Sequence, residues 1–125
     1  MNASAQYQEA CVERFREQIL ARKPLRIRGS GSKDFYGGAP NGTLRGDILD
    51  TREFAGIVNY EPSELVVTAR AGTPLAELKS ALAGRRQWLP FEPPEYGNGT
   101  VGGMVAAGLS GPGRQAYGAV RDFIL

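Results

Sequence analysis

The chain has 125 residues, 42% of them hydrophobic, with 15 basic and 13 acidic side chains for a net charge of +2, which fits one globular domain and excludes the strongly basic footprint of a nucleic-acid binder. One cysteine and no histidine exclude an intrachain disulfide, a metal centre built from those ligands, and the Ser-His-Asp and Cys-His nucleophile machineries. Chemistry must therefore come from a cofactor or from residues outside this chain.

Tyr7, Cys11, Phe15 and Ile19 recur every four residues, with Val12 beside them and Glu and Arg between, which predicts an amphipathic helix within residues 1–23, stopped by Pro24. Cys11 lies on the apolar stripe and is expected to be a buried, inert thiol. Leu25 and Ile27 alternate with Arg26 and Arg28, a short strand running into the glycine-rich segment Arg28-Gly29-Ser30-Gly31-Ser32-Lys33. Further strands are expected at 46–51, 56–60 and 65–68, with a turn at 61–64. Thr73 suits the cap of a helix that begins at Pro74, turns Leu75, Leu78 and Leu82 inward, and ends at Gly84. Residues 87–89 and 120–125 read as two more strands, the second ending abruptly on three large apolar residues, which suggests a truncated chain. Between them, 101–108 has the small residues of a closely packed helix. The order of helices and strands indicates one α+β domain over residues 1–125, without repeat or linker.

Fourteen of the 17 glycines fall within 29–46 and 97–118. Glycine lets consecutive backbone N–H groups converge on one point and lets an anion approach the main chain. Two such loops, about 70 residues apart, fit a diphosphate gripped from both sides, and hence a dinucleotide cofactor. The helix at 101–108 would add free N–H groups at its start. The alternative is that both clusters are tight turns and close packing. A Walker A loop is excluded because Ser32, not glycine, precedes Lys33. Residues 97–102 match G-x-G-x-x-G, but Pro90-Phe91-Glu92-Pro93-Pro94 before them cannot form the strand a Rossmann fold requires.

Arg28-Gly29-Ser30-Gly31-Ser32 followed by Gly99-Thr100-Val101-Gly102-Gly103 resembles the paired pyrophosphate loops of the vanillyl-alcohol-oxidase-type, or PCMH-type, FAD-binding domain. The segments 33–37, 60–75, 89–94 and 106–112 are similar to the FAD-binding E subunits of bacterial glycolate oxidases. The resemblance implies the N-terminal part of an α+β flavin domain, two α/β subdomains with FAD between them. It implies cofactor binding by Arg28, Gly29, Ser30, Gly31, Ser32 and Lys33, by Gly99, Thr100, Val101, Gly102 and Gly103, and by Ser110, Gly111 and Gly118, with Ser110 and Gly111 close to the flavin. Members with a histidyl–flavin bond carry histidine where Ser32 stands, so the FAD is expected to be non-covalent. Glu95 departs from the histidine or arginine common in the family. The resemblance further implies glycolate as substrate and a complex with a second flavin subunit and an iron–sulfur subunit. It also implies a chain stopping well short of the family's usual length, without the substrate base. No apolar run approaches the ~18 residues of a spanning helix and residues 1–6 lack a signal peptide's character, so the expected location is cytoplasmic, with peripheral membrane association through the complex. A non-catalytic assembly subunit with a structural nucleotide site and a nicotinamide-dependent dehydrogenase are the alternatives.

Overall fold

The computed structural model describes residues 3–36 and 45–125; Gly37, Gly38 and Gly42 of the first glycine cluster lie outside them. The chain opens with helix α1 (Ala3–Leu20), which ends before Pro24 because Arg22 takes a left-handed conformation, φ 52°. Its inward face differs from the predicted stripe. Gln8, Cys11, Phe15 and Gln18 point inward, while Tyr7 and Ile19 are exposed. Polar bonds set that rotation: Gln8 donates to the Glu53 carbonyl, Gln18 to the Ile48 carbonyl, and Arg14 pairs with Glu53 at 2.8 Å. Cys11 is buried as expected.

Two small sheets follow. Strands β1 (Leu25–Arg28) and β2 (Asp47–Asp50) pair in parallel, with Ile27 beside Leu49. Strands β3 (Ile57–Glu61) and β4 (Val66–Ala69) form an antiparallel hairpin with an irregularity between Ile57 and Asn59. The predicted turn at 61–64 shifts by one residue to 62–65, because Glu61 pairs in β3 and Leu65 adopts φ 58°, with β4 beginning after it. Helix α2 (Leu75–Ala83) carries Leu75, Leu78 and Leu82 into the main core, where they meet Phe91, Met104 and Val120. Short helices α3 (Val101–Ala107) and α4 (Arg114–Tyr117) follow, and then one 3-10 turn, Val120–Phe123. This is the expected α+β mixture of helices and small sheets.

Three local expectations are corrected. Thr73 does not cap α2: its hydroxyl accepts from the Gly56 amide at 2.9 Å and donates to the Arg70 carbonyl at 2.6 Å, and Pro74 is the cap residue. Residues 87–89 form no strand, because the Gln87 amide bonds back to Leu82 at the end of α2 and its side chain joins Tyr60 and the Pro62 carbonyl. Where a strand was expected at 120–125, residues 120–123 form a 3-10 turn and 124–125 no regular element. Asp122 accepts from the Ala119 amide at 2.7 Å, the Val120 amide donates to Ser110 Oγ at 3.1 Å, and Phe123 lies 5.7 Å from Phe91.

Candidate functional site

The two glycine loops, distant in sequence, share one cavity of about 840 Å³. Ser30, Gly31, Ser32 and Lys33 line it from the first loop, and Gly97, Asn98, Gly99 and Thr100 from the second. Arg52 and Ala55 of the turn after β2, Gly72, the first turn of α2 and the segment 94–96 complete the wall. The loops touch directly: a Cβ on Gly29 would lie 2.5 Å from Thr100 Oγ1, so the first loop rests its backbone on that threonine. Gly31 is left-handed, φ 76°, and a Cβ there would meet the Arg28 guanidinium at 2.0 Å. Arg28 thus sits beneath the loop and does not line the cavity. Its Nε donates to Asp34 Oδ2 at 2.8 Å and its Nη2 forms an ion pair with the same oxygen at 2.7 Å, which ties the loop's far end to β1.

The loops differ in how their N–H groups are used. Among the described residues the amides of Ser30, Gly31, Ser32 and Lys33 donate to nothing, and all four residues line the cavity. The start of α3 is the opposite, against the expectation of free donors. Val101 donates to the Thr73 carbonyl at 2.9 Å, Gly102 to Ala71 at 2.8 Å, and Gly103 to the capping Thr100 Oγ1 at 3.1 Å. Val101 and Gly102 therefore hold α3 against the Ala71–Thr73 segment, Gly103 is taken by the helix's own cap, and all three stand off the cavity wall. The helix start on the wall belongs to α2, a placement the sequence reading missed. Its only local signal was Pro74 before an apolar turn.

Ser110, Gly111 and Gly118 lie elsewhere. Ser110 is buried, accepting from Val120 and donating to the Gly108 carbonyl, while a Cβ on Gly111 would meet the Glu92 carbonyl at 2.2 Å. Gly118 closes α4 with φ 100°. None of the three lines the cavity.

Two of the four charged side chains on the wall are neutralised in place, while Glu77 and Lys33 have no ion-pair partner among the described residues. Arg52 pairs with Asp50, and Glu95 with Lys79. The Glu95 carboxylate, standing where the resemblance leads one to expect a base, is thereby compensated. Lys33 has no ion-pair partner among the described residues and is the cation left for a ligand.

A profile of the FAD binding domain family matches residues 4–125. The chain belongs to that family. It is also 50% identical over 120 residues to glycolate oxidase subunit GlcE of Escherichia coli (strain K12), covering 95% of this chain and 33% of that protein. The chain thus spans about a third of the length of this curated relative. No solved structure matches.

FAD is the cofactor of this family member, and the cavity suits a diphosphate. Among the described residues the amides on one side are unbonded and the Lys33 ammonium beside them has no ion-pair partner, and on the other side a Cβ added to Gly97 or Gly99 would meet nothing within 4 Å. Backbone there is open to a ligand that a side chain would displace.

The Arg28–Asp34 tether gives the first loop a pH response. The hydrogen bond from Arg28 holds the Asp34 carboxyl below its ordinary value, and the bond from Arg52 does the same for Asp50. A depressed carboxyl contributes while ionised and loses its contribution as pH falls through its lowered folded value. FAD affinity is therefore expected to hold at neutral pH and decline below about pH 4. Asp34→Asn should reduce the decline, leaving the part due to Asp50, and should weaken binding at neutral pH by no more than about fivefold, since the pair is partly exposed. Fluorescence titration across pH checks this, and an identical pH profile in the variant would refute it.

Proposed function

We propose that this chain is the FAD-holding part of a glycolate-oxidising flavoenzyme that works within a multisubunit assembly. The observation that carries the reading is the convergence of both glycine loops on one cavity, with Gly29 seated on Thr100 and the amides of residues 30–33 unbonded. Those amides and Lys33 would take one side of the FAD diphosphate, and the open backbone at Gly97–Gly99 the other. Thr100, Val101, Gly102 and Gly103 would act indirectly, by fixing the second loop to α3 and the Ala71–Thr73 segment. Arg28 would act by holding the first loop in its turn. Ser110 and Gly111, packed against Glu92, and Gly118, at the end of α4, would contribute to the cofactor's surroundings from outside this cavity.

Bound FAD supplies the electron-accepting chemistry that oxidising a 2-hydroxy acid needs. The chain's own task is to bind and orient, and we assign no catalytic acid or base within it. Glycolate as substrate, and a second flavin subunit and an iron–sulfur subunit as partners, follow from similarity to a glycolate oxidase subunit. Membership of an FAD-binding family favours this reading over a nicotinamide dehydrogenase. Bleaching of the protein's visible flavin band on adding glycolate to the assembled complex tests it. A flavin that glycolate never reduces would instead indicate a structural cofactor in an assembly subunit.

The FAD should be held without a covalent link. Ser32 lacks the nucleophilic ring nitrogen of histidine, and Cys11 is buried on α1, away from the cavity wall. Acid precipitation of the full-length, flavin-loaded protein should leave the flavin in the supernatant. Flavin in the washed pellet would overturn the assignment.

A further inference from the structure

The two glycine loops are joined a second time, by aromatic rings at the edge of the cavity. Phe35 follows the first loop and Tyr96 precedes the second, and they meet edge to face with centroids 5.2 Å apart at 90°. This is a geometry that ring quadrupoles favour. Phe35 is 68% exposed and Tyr96 51%, so the contact is no part of a core. Tyr96 lines the cavity and Phe35 does not, which puts Phe35 on the outer side of the pair.

Both rings are carried on anchored arms. Phe35 directly follows Asp34, tied to Arg28 at the end of β1, and the turn bonds Asp34 N to Gly31 O and Tyr36 N to Lys33 O hold it in place. Tyr96 directly follows Glu95, tied to Lys79 in α2. Each arm thus reaches the rim from a different regular element, and the ring contact spans the gap between them. A ligand gripped by both loops leaves when the loops part, and parting them breaks this contact.

We propose that Phe35 and Tyr96 form a latch that joins the two loops at the cavity rim and slows release of the bound dinucleotide. The proposal rests on the FAD reading above. Both are positioning residues: they act on how long the cofactor stays, not on its chemistry.

The test follows release of FAD from the full-length, flavin-loaded protein after dilution, read as the rise of free flavin fluorescence. Phe35→Ala and Tyr96→Ala should each release FAD about two- to tenfold faster, the range expected for one aromatic pair. The double variant should be little faster than either alone, because the two residues share a single contact. Phe35→Tyr keeps the edge-to-face geometry and should release at the parental rate. The thermal midpoint of the flavin-free protein should be the same in all variants, since both rings are exposed, which separates a latch from a structural role. A parental protein that holds no FAD would overturn the FAD reading and the latch together. FAD held by the parent and released at the parental rate by both alanine variants would overturn the latch alone, as would rate effects that multiply in the double variant.

Discussion

Gly72→Ala is expected to destabilise the protein by at least about 3 kcal/mol, at the upper end of what overpacking costs. An added Cβ would lie 2.0 Å from the Thr51 carbonyl oxygen, 2.7 Å from that of Phe54 and 2.8 Å from that of Arg52. These are backbone atoms of one turn, so no side chain can swing aside to relieve the contact. The Gly72 amide also donates to the Phe54 carbonyl at 2.8 Å, so moving the turn away breaks a hydrogen bond as well. Against a typical stability of 5–15 kcal/mol the loss is a large fraction. The turn carries Arg52 and Ala55 of the cavity wall, so flavin retention should fall with stability. Urea unfolding of the flavin-free protein measures the effect directly. An unchanged midpoint would mean that the 51–54 turn yields freely and that Gly72 is not where the fold is tightest.

Gly99→Asp should do the reverse, sparing the fold and losing the cofactor. A Cβ at this position meets nothing within 4 Å, so the side chain fits the free protein without strain. It projects a carboxylate from a residue that lines the cavity, beside the open backbone of Gly97. Two like charges about 4 Å apart repel by roughly 4 kcal/mol at an effective dielectric of 20, and partial exposure lowers this. The expected outcome is a loss of about a hundredfold in FAD affinity, near 2.7 kcal/mol. Gly103→Asp is the matched comparison. Gly103 stands off the cavity wall, its amide engaged by Thr100 Oγ1, so the same charge there should weaken binding at least about tenfold less. Titration of the three proteins with FAD decides the matter. Equal affinities would mean that the second loop is a turn and not half of a phosphate grip.

Features that depend on neighbouring residues were legible in the residue order. The 3.6-residue period of Leu75, Leu78 and Leu82 places α2 and its buried face, and the apolar alternation marks β1 as a strand, although Ile27 turns out to be exposed and Arg26 and Arg28 half-buried. Both glycine loops were visible because glycine is used where backbone must turn or be approached closely. That both loops line one cavity is encoded by no local pattern, since nothing in either segment sets the distance between them.

Tertiary structure alone decided which groups are left free. Thr73 looked like a helix cap, yet the Gly56 backbone lies close enough to take its hydroxyl. The start of α3 looked like an anion site, yet Ala71, Thr73 and Thr100 take its donors, while the donors of residues 30–33 stay open. The stripe on α1 was misjudged by one residue because Glu53 and Ile48, remote in sequence, set the helix's rotation through hydrogen bonds. In each case a short-range preference competes with a partner brought near by packing. Each backbone N–H makes one principal bond, so whichever acceptor the fold brings within reach determines which amides remain for a ligand.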